Sequence, residues 1–286
     1  MISFLKMNFR NLIRAARRNV RVGDTNFKVY GIHSDRIALN EGGDDHLIVV
    51  IRRLLEERQG AFIDVGANCG QTLSKVIEIK ITQEYIGFEP QIDCCFHINR
   101  FLANNELSNA KILPIALSDT DKISKIHFDK PLDVTASLLP TQFDSEIELR
   151  EFQSWIVVRS GDTVLKEMAV QQVCAIKVDV EGSELDVLKG LRQTLLVERP
   201  PVLFELLMNR RYGELFPDQK LRSLKQRQAD DLLNFLHERS YLIYRIDALG
   251  NEHRVDSVDL DCEVESPFTN DGRDFIARYA ENSKPI

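Results

Sequence analysis

Several features that define large protein classes are missing from this chain of 286 residues. No apolar run approaches the roughly 18 residues that a membrane-spanning helix needs. The 14 glycines are too few for a collagen-like repeat, and the chain shows no internal repeat or low-complexity tract. Hydrophobic residues make up 43% and charged residues 28% of the chain, which predicts one large globular domain or two small ones.

Cysteine is also sparse, and its spacing excludes two kinds of site. The five cysteines form no Cys-x-x-Cys pair. An odd number of cysteines without that spacing argues against a disulfide framework and against a structural zinc site, and it favours a reducing compartment. We therefore expect a cytoplasmic protein, with its N-terminal segment as the candidate for peripheral contact with the inner membrane surface.

Positive charge is concentrated in that N-terminal segment. The net charge of the chain is −7, although residues 1–22 carry six basic side chains and no acidic one. The remainder therefore has a net charge of −13 (−7 minus +6), which would repel phosphate backbones and predicts no nucleic-acid partner. Basic and apolar residues recur at helical spacing, which excludes an export signal and predicts an amphipathic helix. Its apolar stripe would pack on the acidic body, the commoner arrangement, or lie on an anionic membrane.

Short apolar runs alternate with helical segments along the rest of the chain. We therefore expect residues 1–43 to form a helical extension and residues 44–286 to form the main domain. This order predicts βαβ units and a doubly wound, mostly parallel seven-stranded sheet of the Rossmann-like α/β class. Residues 120–172 break the rhythm and predict an inserted β-layer over the site, where specificity would lie. The seven predicted strands are 61–65, 85–89, 111–119, 173–180, 200–207, 241–246 and 274–279.

The strongest motif is the strand–turn–helix segment FIDVGANCG, residues 62–70. Gly66 and Gly70 let a buried strand turn sharply into a helix while a ligand approaches the backbone. The spacing matches neither the dinucleotide fingerprint GxGxxG nor the P-loop GxxxxGK[ST]. The pattern D-x-G-x-N-x-G, formed here by Asp64, Gly66, Asn68 and Gly70, is typical of S-adenosylmethionine sites. The alternative is a turn that serves only tight packing.

Two further strand ends place polar groups at the same edge of the predicted sheet. Glu89 follows the second strand, 23 residues after Gly66, where an acid can accept hydrogen bonds from ribose hydroxyls. A helix-capping role would also explain Glu89, but the glycine turn and the acid together favour S-adenosyl-L-methionine as the cofactor. Ser118 and Asp119 end the third strand and could meet the adenine amino group, although a plain Asx turn explains them equally well.

A second dense motif, IKVDVEGSELDVLKG at 176–190, again reads as strand, turn and helix. Asp179 and Glu181 are two residues apart, so on an extended chain they point to the same side. Such a pair could act as a general base, anchor the substrate or bind a divalent metal. No His or third acid adjoins the pair, so we expect no metal. Alternatively, Asp179 orders the loop and Glu181 caps the helix. Glu205, at the end of the fifth strand, is a weaker candidate.

Taken in order, FIDVGANCG, YIGFEP, IALSD and IKVDVEGSELDVLKG resemble the FkbM-type S-adenosylmethionine-dependent methyltransferases. The resemblance runs from about Asp44 to Tyr279. It implies a class I methyltransferase fold with an antiparallel last strand, and O-methylation of a hydroxyl on a sugar or other small acceptor. Ser183 stands where many relatives carry His or Tyr. The resemblance puts Asp64, Gly66, Asn68 and Gly70 in the cofactor turn, Glu89 at the ribose, Ser118 and Asp119 at the adenine, and Asp179 and Glu181 at the reaction centre.

The resemblance gives the paired carboxylates a role. A sugar hydroxyl is a poor nucleophile at neutral pH, so a base within hydrogen-bond reach would assist methyl transfer. Asp179 is the first candidate and Glu181 the second. Two other functions stay open: a dinucleotide-dependent oxidoreductase, which the missing GxGxxG disfavours, and a non-catalytic Rossmann-like binding module tethered to a membrane through residues 1–22.

Overall fold

A computed structural model describes residues 17–22, 25–30, 45–80, 82–128, 152–206, 219–261 and 273–280. The strands are β1 (Arg17–Val22), β2 (Thr25–Tyr30), β3 (Ala61–Val65), β4 (Tyr85–Phe88), β5 (Ala110–Leu113), β6 (Ala116–Ser118), β7 (Lys122–Phe128), β8 (Phe152–Ser160), β9 (Val173–Val178), β10 (Val202–Glu205), β11 (Tyr241–Ile246), β12 (Glu252–Val255) and β13 (Asp274–Tyr279). The helices are α1 (Asp45–Glu57), α2 (Gln71–Ile79), α3 (Ile92–Asn104), α4 (Gly161–Glu167), α5 (Glu184–Gly190), α6 (Arg192–Val197) and α7 (Gln219–His237).

An eight-stranded sheet forms the centre of the molecule, in the order β12-β11-β13-β10-β9-β3-β4-β5. The strands from β10 to β5 are parallel neighbours, whereas β13 is antiparallel to both β10 and β11. This arrangement agrees with the predicted Rossmann-like α/β class and with an antiparallel last strand. The predicted number of seven strands is wrong, because β12 pairs with β11 as a hairpin and adds an eighth.

Helices cover both faces of this sheet. Helices α1, α2 and α3 share one apolar core with one face of the strands, and α4 to α7 share a second core with the opposite face. Strands β3 and β9 are buried at every position, as expected for parallel strands between two helical layers. Among the described helices, none combines the length and the apolar content that crossing a bilayer requires.

The third predicted strand, 111–119, is in fact two strands. β5 remains in the large sheet, whereas β6 pairs with β8 in a separate three-stranded sheet of order β6-β8-β7. Pro114 lies between them and has no N–H to continue a hydrogen-bonded ladder. Strands β7 and β8 of the small sheet lie within residues 120–172, of which residues 129–151 lie outside the described part of the chain.

The helix predicted over residues 1–22 is wrong for Arg17–Val22, which form β1 and pair antiparallel with β2. The sequence there alternates valine with polar residues, and β-branched side chains at period two favour a strand. β2 packs on the main domain, because Phe27 is buried with its ring centroid 5.5 Å from that of Phe101 on α3. Residues 1–16, which carry the rest of the predicted helix, lie outside the described residues.

Candidate functional site

The glycine turn between β3 and α2 lies at the carboxyl edge of the parallel strands, where α/β sheets bind ligands. Gly66 has a φ of +86°, and a Cβ built on it would lie 1.8 Å from the backbone oxygen of Asp179. Its N–H donates to the Phe88 carbonyl at 2.9 Å. Glycine is therefore required here both by its backbone conformation and by the close approach of the turn after β9.

Glu89 joins this turn to the next strand of the sheet. Its Oε2 accepts the backbone N–H of Asn68 at 2.8 Å, and its Oε1 accepts the backbone N–H of Gln91 at 2.8 Å. Asn68 has a positive φ of 46°, and its Oδ1 accepts the N–H of Cys69 at 2.6 Å. Burial of the Glu89 side chain raises its pKa to about 7. The carboxyl group therefore changes charge near neutral pH while it shapes the turn.

Asp64 lies behind the turn rather than at its surface. The residue is fully buried, and its Oδ2 accepts a hydrogen bond from the Tyr85 hydroxyl. Its Oδ1 has no hydrogen-bond partner, and Lys177 Nζ on the adjacent β9 lies 3.9 Å away. Burial raises the pKa of Asp64, and the Lys177 charge opposes that rise. The structure therefore places Asp64 beneath the turn, outside the cavity described below.

Asp179 and Glu181 follow the end of β9 at the same edge. Because β9 ends at Val178 and Glu181 has a φ of +55°, the extended-chain argument for their orientation does not apply. Both side chains nevertheless line the cavity. Burial, and then the carboxylates of Asp179 and Glu184, raise the pKa of Glu181 to about 7. A carboxyl with a pKa near neutrality is suited to proton transfer.

Glu184 is a structural residue that the sequence analysis missed. Its Oε1 accepts the N–H of Gly182 at 2.9 Å and that of Val180 at 3.3 Å. Glu184 therefore satisfies two backbone N–H groups of the turn before α5. This is the capping role that the alternative interpretation of the motif gives to Glu181. The available signal was its place in the first helical turn, where an acidic side chain interacts favourably with free N–H groups.

A cavity of about 50 Å³ lies between the two turns and opens to solvent. Ala116, Leu117 and Ile126 supply an apolar wall to this cavity from the small β-sheet. Of the nine residues predicted from sequence, five line the cavity: Gly66, Asn68, Glu89, Asp179 and Glu181. Among the described residues that line it, three are carboxylic acids and none is Lys or Arg.

Four predicted residues do not line the cavity. Asp64 lies beneath the turn, and Gly70 is the N-cap of α2 with a φ of +89°. Ser118 and Asp119 lie on and just after β6, where the Ser118 hydroxyl donates to Asp119 Oδ1 at 3.2 Å. A Cβ on Gly190 would lie 1.9 Å from the Ser118 carbonyl oxygen, so this segment packs on the end of α5. The split at Pro114 puts residues 116–118 in the small sheet, where Ala116 and Leu117 line the cavity and Ser118 does not.

Glu205 ends β10 and is not among the residues that line the cavity. Arg273 Nη1 lies 3.1 Å from Glu205 Oε1. Burial and the nearby Asp179 charge raise the pKa of Glu205 to about 9, and the Arg273 charge opposes them. Over the described part of the chain, no group of three or more His, Cys, Asp or Glu side chains is arranged to hold a metal ion.

Comparison with known proteins gives one family. A family model described as "Methyltransferase FkbM domain" matches residues 64–243, which include both turns of the site. Hexuronic acid methyltransferase AglP of Haloferax volcanii is 30% identical over 148 residues, which are 51% of this chain and 56% of that protein. The match therefore spans little more than half the length of that relative.

Two of the solved structures that match this chain are methyltransferases of low sequence identity to it. Methyltransferase FkbM from Methylobacillus flagellatus is 18% identical, with a TM-score of 0.46, over 77% of this chain and 44% of that chain. Precorrin-6y C5,15-methyltransferase from Geobacter metallireducens is 10% identical, with a TM-score of 0.39, over 87% of this chain and 97% of that chain.

Proposed function

The chain belongs to the FkbM methyltransferase family, and on that premise we propose that it transfers a methyl group from S-adenosyl-L-methionine to a hydroxyl of a sugar or other glycan acceptor. The choice of cofactor rests on the charge of the cavity wall. Glu89, Asp179 and Glu181 line it, and none of the described lining residues is Lys or Arg. That wall suits a ligand with sulfonium and ammonium cations, whereas it repels the pyrophosphate of a dinucleotide. The identity to a hexuronic acid methyltransferase supports the sugar acceptor.

The residues present fit this cofactor. Each Glu89 oxygen accepts one backbone N–H in the structure, and a carboxylate oxygen has a second lone pair for a ribose hydroxyl. Gly66 and Asn68 form the part of the turn that faces the cavity, and there the backbone can contact the ligand closely. Asp64 lies beneath this turn, and Gly70 ends it as the N-cap of α2, so neither is expected to contact the ligand directly.

The cofactor supplies an electrophilic methyl group on a positively charged sulfur. The protein then has to orient the acceptor hydroxyl and receive its proton. We assign proton acceptance to Glu181, because its pKa of about 7 is close to the operating pH of a neutral compartment. Asp179, whose Oδ2 accepts a hydrogen bond from Lys177 at 2.9 Å, orients the hydroxyl. This assignment reverses the order expected from sequence.

Calorimetric titration tests the cofactor. We expect the wild-type protein to bind S-adenosylmethionine and S-adenosylhomocysteine and not NADH. Glu89→Ala should weaken that binding at least about tenfold, which is about 1.4 kcal/mol. The control is Asp186→Ala, an acid on α5 with an exposed side chain outside the cavity, which should leave the affinity unchanged. Binding of NADH in place of both sulfur compounds, by folded protein, would overturn the assignment.

Turnover tests the acceptor separately. Release of S-adenosylhomocysteine is measured with a glucuronic acid glycoside, a glucose glycoside and a simple alcohol of equal concentration. We expect turnover with a sugar and none with the alcohol. If the protein binds the cofactor but methylates no sugar, the acceptor class is wrong while the cofactor assignment stands.

A further inference from the structure

We propose that Lys177 is a positioning residue for methyl transfer, because its ammonium group holds the Asp179 carboxylate at the cavity wall and is itself anchored from behind by Asp64. This inference rests on the proposed function and deepens it, since it adds a residue that acts on the reaction through another side chain. Neither the sequence motifs nor the cavity lining singles Lys177 out.

The sheet register fixes the place of Lys177. It lies on β9 directly opposite Asp64 of β3, and it is only 8% exposed. Its Nζ is 2.9 Å from Asp179 Oδ2 and 3.9 Å from Asp64 Oδ1. A buried ammonium between two carboxylates on one face of the sheet links the interior to the cavity wall. Charge-assisted contacts of this kind restrict a carboxylate more than a neutral hydrogen bond does.

The two carboxylate oxygens of Asp64 have different surroundings. One of its oxygens is occupied by the Tyr85 hydroxyl, and the other has no hydrogen-bond partner. A buried carboxylate in that state needs an opposite charge nearby, and Lys177 provides it. Tyr85, Asp64, Lys177 and Asp179 thus form a chain of polar groups from β4 across β3 and β9 to the cavity.

Lys177 is not itself the base. Burial acts to lower its pKa, but the charges of Asp179 and Asp64 outweigh burial and raise the pKa of Lys177 above its ordinary value. An ammonium that stays protonated has no lone pair to accept a proton. Its charge instead counters those of Asp179 after β9, Asp64 of β3 and Glu205 of β10. The other acidic groups around the site are Glu89 after β4 and Glu181 and Glu184 after β9.

Kinetics on matched variants test the proposal in the full-length protein. Lys177→Met should lower kcat at least about tenfold, with KM for the sugar and affinity for S-adenosylhomocysteine within about threefold of wild type. In the pH profile of this variant, the decline of kcat on the acidic side should move to higher pH, because carboxyl groups that lose a nearby cation protonate more easily. Lys177→Arg, which keeps the charge, should restore most of kcat. Lys189→Met is the control, since its exposed ion pair with Asp186 is 3.7 Å long.

A measurement without substrate keeps the inference independent of the acceptor. In protein labelled with ¹³C at aspartate carboxyls, the Asp179 signal is identified by its loss in Asp179→Asn. At one fixed pH its chemical shift should change in Lys177→Met and return to the wild-type value in Lys177→Arg, because the charge beside the carboxylate is removed in the first variant and kept in the second. If Lys177→Met fails to fold, Asp64→Asn/Lys177→Met removes the buried charges together. The proposal is overturned if the Asp179 signal does not move in folded Lys177→Met or in the folded double variant, or if kcat is unchanged. If the wild-type protein does not bind S-adenosylhomocysteine, the proposed function is overturned instead.

Discussion

Glu89 Oε2 accepts the backbone N–H of Asn68 at 2.8 Å, so one carboxylate both shapes the glycine turn and lines the cavity. Its second oxygen accepts the N–H of Gln91 at the start of α3. The two interpretations of this acid from sequence, ligand contact and local capping, therefore do not exclude each other. Loss of Glu89 should affect the backbone of the turn as well as the ligand.

Glu89 should make stability depend on pH. Burial raises its pKa from 4.5 to about 7, so the folded state binds this proton more tightly than the unfolded state. The resulting stabilisation is fully present below pH 4.5 and is lost as pH rises through about 7. The glutamine in Glu89→Gln is neutral at every pH, so this variant does not lose stability in that way as the pH rises. Relative to wild type, its free energy of unfolding should therefore rise by up to roughly 3 kcal/mol over this range.

Urea unfolding of both proteins at several pH values measures this difference. The change from Glu to Gln also disturbs two backbone hydrogen bonds, but that effect is independent of pH and cancels when the pH values are compared. Other groups that titrate in this range, such as Glu181, occur in both proteins and cancel as well. A constant difference between pH 4.5 and pH 8 would show that folding does not raise the pKa of Glu89.

Most of the central sheet could be predicted from sequence, because its strands are short apolar runs bounded by glycine, proline or acidic residues. The glycine turn at Gly66 and the strand end at Glu89 have strong local signals, and both line the cavity. The third strand was mispredicted because Pro114 stands inside one continuous apolar run, and apolar content alone does not show which sheet each half joins. For that reason the sequence does not show that residues 116–118 belong to the small β-sheet.

The contacts across the sheet could not be predicted, because they depend on register. Lys177 reads as an isolated charge within an apolar strand until β9 is aligned with β3, which brings it opposite Asp64. Asp64 reads as a ligand-facing acid until Tyr85 is found beside it. The order of the candidate bases also depends on burial, which raises the pKa of Glu181 to about 7 and is not visible in the motif.

The small β-sheet offers a matched pair of isoleucines on β7. Ile126 is 2% exposed and lines the cavity, whereas Ile123 is 63% exposed. Ile126→Ala should lower the free energy of unfolding by about 2–4 kcal/mol and weaken S-adenosylhomocysteine binding, because it removes buried apolar contacts from the cavity wall. Ile123→Ala should change stability by no more than about 0.5 kcal/mol. Equal effects in urea unfolding and calorimetry would mean that the sheet does not cover the site.

Two glycines of the turn between β3 and α2 allow backbone strain to be measured apart from steric conflict. Gly66 and Gly70 have φ values of +86° and +89°, but a Cβ would lie 1.8 Å from a backbone oxygen at Gly66 and 3.6 Å from its nearest neighbour at Gly70. Gly70→Ala should therefore cost about 1–2 kcal/mol of stability, for backbone strain alone. Gly66→Ala adds an overlap with the Asp179 carbonyl, so it should cost clearly more and abolish cofactor binding. Similar unfolding midpoints for the two variants would contradict the close approach of the turns.

The pH profile of turnover identifies the base. With a pKa of about 7, Glu181 should lose its ability to accept a proton as pH falls below neutrality, so kcat should decline on the acidic side. Glu181→Gln should lower kcat by about 10²- to 10⁴-fold and remove that decline, with cofactor affinity retained. Asp186→Asn, an acid on α5 with its side chain 52% exposed, is the control. If Glu181→Gln keeps the wild-type profile while Asp179→Asn abolishes turnover, then the proton goes to Asp179, and burial at Glu181 serves only the conformation of the turn.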